Sequence, residues 1–471
     1  MNAKIWIAVV VAAGLTVGGC TVGPDYVRPE MTMPSEWGVA EGAGAADPAV
    51  LRAWWETFED PILTSLIARV DAGNPDLQSA LARIDESRAL RAFASGEALP
   101  AIDAAGSYRR ERGSANGFGG VPGEYSFYSA GFDAIWEIDL FGRVRRSVEA
   151  AQAAFEQSVE DFHDLRTILY AETARNYIEL RTAQSRLAFA RANIAIQQQT
   201  LELTQNRFEA EIAPELDVTQ ARLILANTES EIPSLHIAES AAIHRLAALI
   251  GTTPQSLRAE LVALAELPAS QALPAAGLPA ELLRRRPDIR SAERALAAQT
   301  ARIGAAEAQR YPSFSLSGTL ALQATHISDL ANWDSRAFAF GPAVRWSLFD
   351  GNRLKSLVHI EEARTQQLAA RYEATVLRAV EEVENALVGY VQEVERAAAL
   401  RRSVVAARQS VGMVESLYRN GLTNFQNVLD VQRSLSQQQD RLAISEGLIL
   451  QQTVAIYKAL GGGWEEENPK H

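Results

Sequence analysis

Ser313-Phe314-Ser315-Leu316-Ser317-Gly318-Thr319-Leu320-Ala321-Leu322-Gln323 sets Phe314, Leu316, Gly318, Leu320 and Leu322 in alternation with Ser313, Ser315, Ser317, Thr319 and Gln323. Successive side chains of a strand point to opposite faces, so this segment has one greasy face and one wet face. After a loop at His326 to Ser335, Phe338, Phe340, Val344, Trp346 and Leu348 alternate with small or polar residues, among them Gly341, Arg345 and Ser347. Earlier in the chain Tyr128, Ala130, Phe132, Ala134, Trp136 and Ile138 alternate with Ser129, Gly131, Asp133, Glu137 and Asp139. That hairpin begins at Ile102, Ala104 and Tyr108 and turns through the Gly-rich run Ser114 to Gly123. Runs of about ten alternating residues with terminal aromatics predict membrane-barrel strands.

A soluble β-sandwich shows the same alternation but needs about seven strands. This chain offers four. Four strands cannot close a membrane barrel, because known ones start at about eight and open edges are not tolerated in lipid. Several chains must then contribute to one barrel, and three chains of four strands would make twelve.

The two hairpins belong to a duplication. Pro75-Asp76-Leu77 through Pro100 to Gly106 matches Pro287-Asp288-Ile289 through Pro312 to Gly318, about 212 residues later. Trp136 to Gly142 (WEIDLFG) pairs with Trp346 to Gly351 (WSLFDG), Leu216-Asp217-Val218 with Leu429-Asp430-Val431, and Leu249-Ile250-Gly251 with Ala459-Leu460-Gly461. A period this long is a duplicated half-molecule rather than a solenoid repeat.

Long helical tracts separate the hairpins. From about Arg143 to Ala213 there is no proline, and Ile168, Ala171, Ala174, Ile178 and Leu187 recur at helical spacing. At about 1.5 Å per residue, some 70 residues reach roughly 100 Å, of the order of the depth of a periplasm. Pro214 breaks the tract, and the chain returns through Asp217 to Ile250. The second copy runs from Leu354 to Arg419, turns at Asn420-Gly421 and returns through Leu460. Ala, Gln, Glu and Arg dominate these tracts, which suits close packing with polar seams.

Lys4, the apolar stretch Ile5 to Leu15 and the small residues Val17-Gly18-Gly19 before Cys20 form a secretory signal, too short to span a bilayer. Cys20 is the only cysteine in 471 residues, which excludes an intramolecular disulfide and a thiol metal site. The stretch from Thr21 to about Val50, rich in Pro, Gly and Ala, reads as an extended tether. A formal charge of −13 argues against a nucleic-acid partner. His163, His236, His244, His326, His359 and His471 show no paired metal-ligand spacing, and there is neither a P-loop nor a G-x-S-x-G elbow. Asp133, Glu137 and Asp139 alternate with lipid-facing residues, so they read as polar barrel lining rather than as acid-base catalysts. No enzymatic activity is expected.

These residues carry a resemblance. Gly19-Cys20-Thr21-Val22-Gly23-Pro24-Asp25-Tyr26, Trp54-Trp55 with Phe58 and Asp60-Pro61, Leu282-Leu283 with Arg285-Arg286-Pro287-Asp288-Ile289, Trp346 to Gly351, and Ala459-Leu460-Gly461-Gly462-Gly463-Trp464 occur in order along the mature chain. The chain resembles TolC-like outer-membrane efflux channels, and most closely the lipoprotein branch called NodT, which serves resistance-nodulation-division pumps.

The resemblance implies a mixed α and β membrane protein: a homotrimer with a twelve-stranded β-barrel in the outer membrane, continuous with a twelve-helix periplasmic α-barrel. It implies diacylation of Cys20 and no other cofactor, and Thr21 after the cysteine favours the outer membrane. The implied partners are a periplasmic membrane-fusion adaptor, an inner-membrane pump and outer-membrane lipid. The implied organisation is a signal peptide (1–19), a lipidated tether (20–60), a first repeat (61–260), an inter-repeat equatorial segment (261–278), a second repeat (279–464) and a tail (465–471). The periplasmic aperture falls on Tyr418 to Asp430, with Asp430 as the ring aspartate, Asn427 where some members carry a second, and Arg433 one turn away and able to bridge to Asp430. Asp217 and Tyr418 match a pair that links neighbouring helices in the closed state, while Thr423 replaces the arginine of a second link. Asp217 is also read as the acidic cap of a helix beginning after Pro214.

The reading is a passive exit duct. A channel for a type I secretion system and a non-conducting lipid-anchored scaffold are the alternatives. The sequence does not name the cargo, although only Met1, Met31, Met33 and Met413 occur, which disfavours a methionine-lined route for soft metals.

Overall fold

The computed structural model describes residues 21–34, 37–38, 47–113, 123–263, 266–268 and 282–464. The signal peptide, Cys20, the loop from Ser114, most of the inter-repeat segment 261–278 and the tail 465–471 therefore lie outside the described residues. A helical turn at Pro48–Arg52 is followed by α1 (Pro61–Gly73), α2 (Pro75–Gly96), β1 (Ala101–Gly113), β2 (Gly123–Ile138), α3 (Arg143–Glu209), α4 (Glu215–Ile250) and α5 (Pro254–Leu261). A turn at Leu282–Arg285 then leads to α6 (Pro287–Ala308), β3 (Ser313–Ala324), β4 (Arg336–Arg345), α7 (Arg353–Arg419) and α8 (Phe425–Ala459). No described helix is long and apolar enough to cross a membrane. The chain divides into two compact units.

One unit comprises Met1–Glu30, Ala82–Val159 and Ser291–Glu373 and holds the sheet, four antiparallel strands in the order β1-β2-β3-β4. Its register lines the expected greasy residues up in rows: Ala104, Phe132, Leu320 and Phe338 face one another across the strands, as do Ile102, Ala134, Gly318 and Phe340. Directly paired residues of an antiparallel sheet share a face, so the apolar side is continuous over all four strands. Asp103, Asp133 and Thr319 lie in a row on the opposite side, where the Thr319 hydroxyl donates to Asp133 at 2.7 Å. Phe132, Leu320, Phe338 and Phe340 are all exposed within one chain.

β4 stops at Arg345, so Trp346 and Leu348 lie beyond the strand that their alternation predicts. The reason is that β3 begins at Ser313, opposite Arg345, and no ladder partner exists further on. The Trp346 indole N–H donates instead to the Arg310 carbonyl at 3.1 Å, as Trp136 in the first copy donates to Ala98 at 2.9 Å.

The stretch read as a tether from Thr21 is not free at its start. Residues 21–34 have no helix or strand, yet Arg146 binds Val22, Gly23 and Asp25, and Arg28 pairs with Glu293 at 2.9 Å.

The other unit comprises Met31–Leu81, Glu160–Arg290 and Ala374–His471. Its core includes Trp54, Phe58, Leu63, Ile67, Tyr177, Ile178, Leu246 and Tyr457, all nearly inaccessible to solvent. Asp60 explains its own motif: one carboxylate oxygen caps α1 by accepting from Ile62 N–H at 2.9 Å, and the other accepts from the Tyr177 hydroxyl at 2.6 Å. Trp54 stacks on Tyr457 at 5.5 Å, while the Gly463 N–H bonds the Leu51 carbonyl, so the early Trp54-Trp55 motif and the late Gly461-Gly462-Gly463-Trp464 motif meet. α3 and α8 share a polar seam in which Asn193 bonds Gln439, Arg186 bonds Asp440 and Thr200 bonds Gln432.

The duplication reappears in three dimensions. Asn74 caps α2 and its side-chain N–H donates to the Leu249 carbonyl at 2.7 Å; Arg286, which precedes α6 in the same way, donates to the Ala459 carbonyl at 3.0 Å. Each return helix is thereby pinned to the start of its own repeat.

Candidate functional site at the helical hairpin tips

Each long hairpin ends in the same turn. At the end of α3, Glu211 has φ 60°, and N–H groups of Glu211 and Ile212 bond the carbonyls of Phe208 and Arg207. At the end of α7, Gly421 has φ 72°, and N–H groups of Gly421 and Leu422 bond Tyr418 and Leu417. Both are Schellman closures, with a left-handed residue taking the chain out of the helix.

This common turn corrects the repeat register. Pro214 and Asn424 are the N-caps of α4 and α8, which makes Asp217 the counterpart of Asn427, not of Asp430. The Leu-Asp-Val triplet recurs one helical turn later in the second copy, so the sequence match pairs residues that the turns do not. Asp217 is likewise not a cap. Pro214 holds that position without a side-chain bond, and Asp217 sits in the first turn, where its charge still faces the positive helix end.

The tips pack on one another through Ala221, Ile224, Tyr418, Phe425, Val428 and Leu429. Tyr418 is 3% exposed, with its ring 5.3 Å from that of Phe425, and its hydroxyl donates to Asp217 Oδ2 at 3.4 Å. Burial raises the Tyr418 pKa, so the hydroxyl stays a donor. Burial also raises the Asp217 pKa, against the lowering effects of the Tyr418 hydroxyl and the Arg207 guanidinium.

Arg207 is the residue that the sequence reading missed. Its guanidinium stands 4.7 Å over the Tyr418 ring and donates to the carbonyls of Tyr418 and Arg419 at 2.9 and 3.1 Å. A cation in the last turn of a helix is legible as a partner for that helix's own carbonyls. Here Arg207, in the last turn of α3, serves the end of α7.

Asp430, Asn427 and Arg433 form a separate, exposed group on the side of α8 away from Val428, Leu429 and Gln432. Asp430 accepts from Gln426 at 2.9 Å and pairs with Arg433 of its own chain at 3.6 Å, both side chains more than half exposed. Asn427 donates to the Thr423 hydroxyl at 2.8 Å, so the residue in place of the second-link arginine has a local partner. Among the described residues no group of His, Cys, Asp and Glu is arranged to hold a metal ion.

The family model described as outer membrane efflux protein matches residues 66–252 and 278–462. Nodulation protein T of Rhizobium leguminosarum bv. trifolii is 33% identical over 91% of this chain and 91% of its own length. The antibiotic efflux pump outer membrane protein ArpC of Pseudomonas putida is 31% identical over 96% of this chain and 94% of its own. The solved outer-membrane channel OprN superposes with a TM-score of 0.90 at 37% identity, covering 94% of this chain and all of OprN.

A repeat-built chain of strands and long helical hairpins with this match is an outer-membrane efflux channel protein, not an enzyme. It belongs to the outer membrane efflux protein family, in its NodT-type branch, with the mostly helical TolC-like fold. It lies in the outer membrane and extends into the periplasm as the channel component of an efflux pump.

Proposed function

We propose that three copies of this chain close one twelve-stranded barrel, continued by a twelve-helix periplasmic tunnel, and that the trimer is a passive, water-filled exit duct. The observation that carries this reading is the four-stranded sheet with a continuous apolar face, whose edge strands β1 and β4 have no outer partner among the described residues. Unpaired strand edges are not tolerated in lipid, so each edge must find another chain. A periplasmic membrane-fusion adaptor and a resistance-nodulation-division pump supply opening and energy, and the cargo is drugs or other small molecules, in keeping with the antibiotic efflux relative. Cys20 carries the lipid.

The exposed position of Asp430 on α8 suits a ring of three carboxylates around a three-fold axis. Such a ring disfavours full ionisation, attracts cations and leaves the closed pore sensitive to divalent ions. Tyr418 with Asp217 holds the closed state. Purified protein in planar bilayers tests the reading: discrete, cation-selective conductance steps are expected, and Asp430→Ala should raise conductance or weaken selectivity. A correctly inserted protein that never conducts would refute it.

A further inference from the structure

Two motifs that an exit duct does not account for, Arg285-Arg286-Pro287-Asp288-Ile289 and Gly461-Gly462-Gly463-Trp464, meet at one cavity in the unit that holds the Trp54 core. The cavity has a volume of about 230 Å³, and Arg284, Arg285, Arg290, Gly461 and Trp464 are among its lining residues. Gly461 has φ 73°, and a Cβ there would stand 3.3 Å from the Arg285 carbonyl, so the end of the second repeat lies directly against the turn that begins it.

The arginines differ in what they hold. Arg286 is committed: it donates to Asp288 through Nε at 3.0 Å and Nη2 at 2.8 Å, to Glu382 at 2.7 Å and to the Ala459 carbonyl at 3.0 Å. Arg290 pairs with Glu160 at 2.6 Å and sets its guanidinium 4.9 Å from the Trp464 ring centroid. Arg284 and Arg285 line the same cavity, yet among the described residues neither side chain has an ion pair or a hydrogen bond.

Trp464 supplies an independent sign. It is 8% exposed and its ring stacks with His163 at 4.9 Å, but its indole Nε1–H is buried with no hydrogen-bond partner. An indole N–H can only donate, and a buried donor without an acceptor is rare in a folded chain. The wall of the cavity thus carries positive charge and a stranded donor, while none of its side chains is an acceptor.

We infer that this cavity binds a small oxyanion, a carboxylate or a phosphate group from the periplasm. Guanidinium forks suit both, and two adjacent arginines offer them in one place. Arg284 and Arg285 are the binding residues, and the Trp464 N–H donates one further bond. The bound anion joins the turn that begins the second repeat to the segment that ends it, close to where Arg286 already holds the Ala459 carbonyl. The site depends neither on three chains nor on conductance.

The test titrates the full-length protein in detergent with inorganic phosphate and, separately, with acetate, at one pH and at constant ionic strength set by chloride. The melting midpoint and the heat of binding are read. At least one of the two anions should raise the midpoint saturably with a matching heat, and which of them acts gives the class of anion. Arg284→Lys with Arg285→Lys keeps the charge and loses the forks, whereas Trp464→Phe keeps the ring and loses the N–H. Both variants should melt like wild type in chloride, but the double variant should bind at least about tenfold more weakly and Trp464→Phe about fivefold more weakly. No saturable response of the wild type to either anion overturns the site. An equal response in wild type and both variants also overturns it, because the effect would then be general screening.

Discussion

Arg207 shows what a single residue can decide and what a sequence can hide. Its neighbours in sequence offer it the carbonyls of its own helix, but only the packing of two hairpins hands it to Tyr418 and Arg419. A motif singles out Asp430, Asn427, Tyr418 and Asp217, but it could not say which of them touch, because the contact between Tyr418 and Asp217 joins residues 201 apart. Replacing Arg207 by Lys keeps the charge and loses the fork and the stacking. The closed-to-open ratio should fall about tenfold, or about 1.4 kcal/mol, read as open probability in planar bilayers. An unchanged open probability would remove Arg207 from the closed state.

Asp164 makes a second prediction at this scale. Burial foremost, and then the charge of Asp288, pushes its pKa from 3.8 up to about 6, against the pull of Arg286 and Lys458. Between those values the folded protein binds more protons than the unfolded chain, so stability falls as pH rises through that window and the full cost stands above it. Asp164→Asn should therefore raise the stability at about pH 7.5 by on the order of 1–2 kcal/mol, seen as a higher melting midpoint, with the gain fading towards about pH 4. An equal gain at both ends would mean that ionisation is not the cause.

At the scale of elements, the strands were the most legible part, because a period of two leaves one reading of each face and the register then confirms it row by row. Strand ends were less so: Trp346 and Leu348 keep the alternation, but β3 has no residues left to pair with them. The Leu-Asp-Val triplets misled for a related reason, since helix register is set by the cap and the Schellman turn rather than by the best local match. The repeat ends give a graded test. Gly251 and Gly461 both have positive φ, but a Cβ on Gly251 collides with the Gly73 carbonyl whereas one on Gly461 stays 3.2 Å from Arg286 Cα. Gly461→Ala should cost about 1–2 kcal/mol from the left-handed backbone alone, and Gly251→Ala clearly more. Thermal melts of the two variants check the order, and a reversed order would contradict the packing at the first repeat.

For the whole molecule, the proposed number of chains follows from what one chain lacks. Its sheet presents Phe132, Leu320, Phe338 and Phe340 on one side and Asp103 and Asp133 on the other, an arrangement that suits lipid outside and water inside the proposed closed wall. Composition and periodicity could say that one chain is too little; they could not say how the helices close, which in the proposed trimer rests on contacts between copies. The most direct measurement is the mass of the detergent-purified protein by native mass spectrometry or sedimentation, with its α and β content checked by circular dichroism. A species of three chains is predicted, and a monodisperse single chain with native α and β content would contradict the shared barrel.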